Sequence, residues 1–286
     1  MLAVLIITIV GLFLGLLLGS PFYLSERPPN INPSNYLKMR SVSGEKKKVV
    51  VFMGDSITHG KIGVNYVEMI KERFLSESIE FINAGKNSEL TWNLLQRVDK
   101  VIQCDPDIVT ILVGTNDANA SMSEKTMKSY VKRMKLPRDP DIDWYRDSLS
   151  SLIDSLKENT SAKIALISIP TIGEDSRDAA FGRSAEYSRI VQEVSKEEEV
   201  AYLPLHELMV ERLESSQSRA TYPYRKYFIG ILKVIINHYL LRREWDDIAS
   251  ASGFSLHVDY LHLNTAGAKL VADLLTEFIS STLTQT

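Results

Sequence analysis

The sequence predicts an α/β protein: a five-stranded parallel sheet in a three-layer α/β/α sandwich, preceded by an N-terminal transmembrane helix. Two observations predict the sandwich. After residue 47, short β-branched runs alternate with segments of helical period, and the first three runs end abruptly in "GDS", "NAGKNS" and "GTND". A third observation predicts the membrane helix, because Leu2 to Tyr23 carries no charge.

At about 1.5 Å per residue, that uncharged run is long enough as a helix to cross a hydrocarbon layer of about 30 Å. An uncleaved single-pass anchor is favoured over the alternative, a secretory signal removed by cleavage. Only the α-amino group stands before the apolar run, and "LGSPF" puts Pro21 where small residues before a cut are expected. Arg27, Lys38, Arg40 and Lys46 to Lys48 all follow the run, which by the positive-inside bias would place the globular part in the cytoplasm. With almost no loop on the other side to compare, the side of the membrane stays open. Residues 24–46 contain prolines and polar residues without a sustained period and read as a tether. Residues 47–286 then form one domain, with insertions near 118–143 and 215–257.

Strands are expected at Lys48–Met53, Ile79–Asn83, Asp107–Val113, Lys163–Ile169 and Val200–Leu203. Helices are expected at Val64–Leu75, Leu90–Gln103, Trp144–Asn159, Arg183–Lys196 and Thr265–Ser281. The 286 residues are 44% hydrophobic and 24% charged, enough for one good-sized core. A net charge of -3 gives no electrostatic case for a nucleic-acid partner. Cys104 is the single cysteine, so there is no internal disulfide and no CxxC motif, and its apolar neighbours make it a core residue.

In an open parallel sheet, reactive groups gather beyond the carboxyl ends of the strands. Any one of the three polar strand ends reads equally well as a turn or a helix cap. Their common topology, together with "VDYLHLNTAGAKL" near the end of the chain, points to more. A serine hydroxyl needs a base within hydrogen-bonding reach, itself oriented by a third group. Asp259 and His262 are three residues apart, a spacing that lets the carboxylate fold back onto Nδ1 and leaves Nε2 for Ser56. Asn264 is a plausible cap for the last helix.

With "GDS", "GTND" and "DYLH" in this order from about residue 48 to the end, the sequence resembles the GDSL esterases and lipases, also called SGNH hydrolases. The resemblance implies a flavodoxin-like sheet of order 2-1-3-4-5 and ester hydrolysis through an acyl-enzyme, with catalytic Ser56, Asp259 and His262. It further implies an oxyanion hole built from the N–H of Ser56, the Asn116 amide and a third backbone donor. Where the family has glycine, "NAGKNSELT" places Ser88, with Gly85 as the fallback. No metal or cofactor is implied. Asp117 is assigned to holding its loop by hydrogen bonds.

The other histidines have plainer readings. His59 lies too close to Ser56 in a tight turn to act as its base. His257 lacks an acidic residue upstream at a helpful distance, and His206 and His238 fall in helical patterns. "CDPDIV" and "RDPDIDW" lack the spacing of a calcium loop. Phe228, Ile231, Leu232, Ile235, Ile236, Tyr239 and Leu240 form an apolar helical stripe within "YRKYFIGILKVIINHYLLRREW". That helix either covers the sheet edge or forms a lid or bilayer-facing surface beside the site.

The sequence therefore predicts a membrane-tethered serine esterase or lipase acting on an O-acyl ester of a lipid or a carbohydrate. Three alternatives remain: acyl transfer by the same triad, a membrane-anchored binding protein that has lost catalysis, and a flavodoxin-type nucleotide binder. For the last, "GDSITHG" is a poor phosphate loop. Acyl group, alcohol and oligomeric state are not written in the sequence.

Overall fold

A computed structural model describes residues 19–40, 47–215 and 219–284. Most of the expected transmembrane segment, residues 1–18, lies outside them. Among the described residues no helix is long and apolar enough to cross a membrane.

The elements in chain order are α1 (Pro33–Arg40), β1 (Lys48–Gly54), α2 (Ser56–His59), α3 (Tyr66–Arg73), β2 (Ile79–Gly85), α4 (Thr91–Leu95), α5 (Val98–Ile102), β3 (Ile108–Leu112), α6 (Thr115–Ala120), α7 (Glu124–Met134), α8 (Ile142–Asn159), β4 (Lys163–Ile167), α9 (Ala179–Glu197), β5 (Ala201–Leu203), α10 (Leu205–Glu214), a 3-10 turn (Tyr224–Lys226), α11 (Tyr227–Tyr239), α12 (Trp245–Ser252) and α13 (Thr265–Thr284). The strands pair in parallel in the order β2-β1-β3-β4-β5.

β1 shows why the sheet is sandwiched. Along a strand, side chains alternate between faces. Val49, Val51 and Met53 accordingly enter one core with Leu152, Ile153 and Leu156 of α8, while Val50 and Phe52 enter the other with Ile70 of α3 and Leu275 of α13. Fully burying each such side chain contributes about 1.5–3 kcal/mol. A charge at Val51 would therefore disrupt one whole layer.

Two expectations from sequence change. The single helix expected over Leu90–Gln103 is broken into α4 and α5 at Arg97. The Arg97 backbone leaves helical geometry (φ −128°), and its guanidinium reaches Glu89 Oε2 (2.6 Å) and the carbonyls of Ala84 (2.7 Å) and Gly54 (3.3 Å). Charge-assisted bonds to two strand ends outweigh one turn of helix.

The segment read as a tether is seated on the domain over its described part, residues 24–40. β2 is an edge strand and presents unpaired backbone N–H groups. Ile31 supplies its carbonyl to Asn83 N (2.9 Å), Ser25 its carbonyl to Asn87 Nδ2 (2.9 Å), and Arg40 Nη1 donates to the Cys104 carbonyl (3.1 Å). Phe22, Ile31, Tyr36 and Leu37 pack against the core, so the prolines of this stretch shape a docked stem.

Candidate active site

The polar ends of β1, β2 and β3 meet at the crevice between β1 and β3, where successive connections leave in opposite directions. β1 stops at Gly54, and Asp55 caps α2 by accepting from Ile57 N at 2.9 Å. Ser56 is thereby the first residue of a short helix, 8% exposed, at the edge of a cavity of about 200 Å³.

His262 arrives from the loop between α12 and α13. Asp259 shapes that loop: its Oδ1 accepts from Leu261 N (2.7 Å) and His262 N (2.8 Å), and its Oδ2 faces His262 Nδ1 at 2.9 Å. The opposite ring nitrogen, Nε2, lies 2.9 Å from Ser56 Oγ. Asn264 secures the downstream end, its Oδ1 accepting from Gly267 N (3.1 Å) and its Nδ2 donating to the Ser255 carbonyl (2.8 Å).

The electrostatics follow from burial and pairing. Burial alone would push Asp259 up, but the adjacent His262 ring and the hydrogen bonds hold its carboxyl below the ordinary range. Burial alone would push His262 down, yet the Asp259 charge and hydrogen bond raise it above an ordinary imidazole. Two carboxyls nearby behave oppositely: burial raises Asp55 to about 6 and Asp117 to about 7. Asp117 accepts from Thr91 N (3.2 Å) and Thr91 Oγ1 (3.3 Å), tying α6 to α4.

The three residues read as oxyanion donors are differently placed. Asn116 lines the cavity, but both hydrogens of its Nδ2 face protein acceptors, the Glu89 carbonyl (3.1 Å) and Asp55 Oδ2 (3.2 Å). Its Oδ1 accepts from Tyr130 Oη at 2.7 Å, which fixes the amide plane. Ser88 lines the same cavity with φ +63°, a left-handed conformation that glycine adopts without cost. The turn thus admits the side chain that stands in place of the family glycine. Gly85, the fallback donor, does not line the cavity, and its N–H serves Asn83 Oδ1 (2.9 Å). Its lack of a side chain has another cause: a Cβ there would lie 2.2 Å from His59 N.

His257 differs most from its sequence reading. Its Nδ1 lies 2.9 Å from Glu174 Oε1, an acidic partner supplied by the loop after β4. Burial pushes His59 down to about 4, keeping it neutral inside α2. His206 is buried with Nδ1 3.2 Å from the Ile169 carbonyl, and His238 stacks on Trp245 at 3.6 Å.

Three cavity walls were not assignable from motifs. Tyr130 and Arg133 come from the 118–143 insertion. α11 contributes Phe228, Ile231, Leu232 and Ile235, and the stem contributes Phe22, Ser25 and Glu26.

A model of the GDSL-like lipase/acylhydrolase family matches residues 52–270, well over half of the sequence. The chain belongs to that family. As such it is a carboxylic ester hydrolase. Among solved structures it resembles Axe2, an acetylxylan esterase from Geobacillus stearothermophilus (20% identity, 81% of this chain and 94% of that one, TM-score 0.56). It also resembles the acetyl xylan esterase AlAXEase (20%, 81% and 99%, 0.57) and a lipase/acylhydrolase from Enterococcus faecalis (23%, 82% and 96%, 0.53). At such identities the likeness is one of fold. No curated protein matches the chain in sequence.

Proposed function

We propose that this GDSL-family hydrolase is a serine esterase that cleaves an O-acyl ester of a lipid or a carbohydrate through Ser56, His262 and Asp259. The observation that carries the reading is the 2.9 Å approach of His262 Nε2 to Ser56 Oγ, with Asp259 at 2.9 Å on Nδ1. Ser56 Oγ attacks the ester carbonyl carbon while its proton passes to Nε2. Asp259 orients the ring and stabilises the imidazolium.

The oxyanion is held by the N–H groups of Ser56 and Ser88 and by the Asn116 amide, which releases its longer bond, to Asp55, as charge develops. Collapse expels the alcohol, which takes the proton from Nε2. Water, deprotonated by the same nitrogen, then attacks the acyl group, releasing the acid and restoring Ser56. The apolar α11 wall suits an acyl chain; the relatives described as acetylxylan esterases favour a short acyl group on a sugar. The uncharged run at residues 2–23 would hold the enzyme on a membrane as a single-pass anchor. Acyl transfer to an alcohol uses the same residues when the closed site excludes water.

Labelling by a fluorophosphonate tests the nucleophile. The wild type is labelled and hydrolyses p-nitrophenyl esters; Ser56→Ala is unlabelled and loses at least about 10⁴-fold in rate. No labelling of the folded wild type would leave only the reading of a binding protein without catalysis. A panel of acyl chain lengths alongside acetylated sugars separates the lipid from the carbohydrate substrate.

A further inference from the structure

The stem and α11 line the same cavity as Ser56 and His262; α11 is apolar where it reaches it, and the stem brings Phe22 beside the polar Ser25 and Glu26. Phe22 belongs to the uncharged run, and Ser25 and Glu26 follow directly after it. Since a residue spans at most about 3.6 Å, Ser25 lies within about 10 Å of the place where that run stops at Tyr23. With that run as the single-pass anchor proposed above, the catalytic cavity stands close to the membrane surface.

α11 presents a matching surface. Gly230 and Val234 face inward and are buried, as is Ile235 on the cavity side. At about 100° per residue, Ile229 and Ile236 fall on the far side of the helix, which in a water-facing helix would be polar. Ile229 is 62% exposed and Phe228 51%, and Tyr23 on the stem is 71% exposed. Lys233 is the single Lys, Arg, Asp or Glu within α11, while Arg225, Lys226 and Arg133 stand near its start and the cavity. An apolar outer face with basic residues beside it matches an interfacial helix on an anionic leaflet.

We propose that the rim formed by the stem and α11 is a docking surface for a lipid bilayer, so that the ester enters the cavity from the membrane plane. The proposal rests on the esterase reading and adds the route by which substrate arrives. The stem, which precedes the residues matched to the family, becomes part of the substrate passage.

The test uses the full-length chain in vesicles of phosphatidylcholine and phosphatidylglycerol. An environment-sensitive fluorophore is placed at Ile229→Cys or, as control, at Glu158→Cys on α8, beside the start of β4 and so at the opposite end of the sheet. Cys104 does not compete for the label, because it is buried and its thiol is pushed up to about 12. The expected result is a blue-shifted probe at position 229 that is quenched by spin-labelled lipids at least twice as strongly as the control. Equal quenching at the two positions overturns the proposal. So does a blue-shifted probe at 229 that lipid quenchers do not reach, which would assign the face to a second copy of the chain.

Ile229→Asp, which leaves the cavity lining intact, should slow hydrolysis of a long-chain ester embedded in the vesicles several-fold and leave a short soluble ester unaffected. Equal effects on both esters would remove the entry route. Turnover of the soluble ester without quenching sinks the docking alone, whereas quenching without any turnover sinks the esterase reading alone.

Discussion

His257 Nδ1 and Glu174 Oε1 lie 2.9 Å apart in the interior, joining the loop after β4 to the loop that carries Asp259 and His262. The same carboxylate accepts from Ser255 N (2.7 Å), Leu256 N (2.7 Å) and His257 N (2.9 Å), while His257 Nε2 lies 2.9 Å from the Thr171 carbonyl. A carboxylate and a carbonyl thus face the two ring nitrogens and fix the orientation of the ring.

Removing the carboxylate strands several buried donors. Glu174→Ala should destabilise the fold by at least about 1–3 kcal/mol, the cost of leaving a buried donor without its acceptor. Urea unfolding measures this. A change below about 1 kcal/mol would mean that the loop finds other acceptors, against the fully buried setting of His257.

The pH profile of hydrolysis reports on His262. The base must be neutral, so kcat/KM rises with pH and levels off above the His262 pKa, which Asp259 raises over the ordinary imidazole value. In Asp259→Asn the acid limb moves to lower pH, and the plateau falls by at least about 10³-fold because the ring loses its orientation and charge partner. A profile with an unshifted limb in the variant would disconnect Asp259 from the base.

Asp117 affects stability in the opposite sense to a paired carboxylate. Its pKa in the folded protein, about 7, lies above the ordinary aspartate value, so the folded state binds the proton more tightly. Its contribution is fully present below the unfolded value near 4 and is lost as pH rises through 7. Asp117→Asn keeps an acceptor for Thr91 without ionising. The variant should lose less stability than the wild type between pH 4 and pH 7, as read from thermal midpoints across that range.

Ser88 tests whether a backbone group or a side chain matters. Glycine at this position keeps the N–H and relieves a left-handed strain of about 1–2 kcal/mol, partly offset by greater freedom of the unfolded chain. Ser88→Gly should keep activity within about threefold, well short of the roughly 10²–10³-fold that loss of one oxyanion donor costs. Ser88→Pro, which removes the N–H and cannot adopt φ +63°, should lose it. A large loss in Ser88→Gly would point to the hydroxyl instead.

What the sequence determined by itself was local. The unbroken apolar run in "KVVVFMG" specified a strand buried on both faces, and the ordered blocks around Ser56, Asn116 and Asp259–His262 specified the family and the end of the sheet where the cavity lies. The three-residue spacing of Asp259 and His262 was sufficient because both sit on one turn.

Only the tertiary structure decided the rest, since it depends on residues far apart in the chain. Glu174 reaches His257 across 83 positions, Asn119 meets Tyr224 across 105, and Arg97 breaks a helix to reach the ends of two strands. The stem shows the limit most plainly. Its composition reads as a linker, but an edge strand has backbone donors to satisfy, and Ile31 and Ser25 are held by Asn83 and Asn87. Periodicity cannot register a hydrogen bond between distant segments, because such a bond is set by the path of the chain.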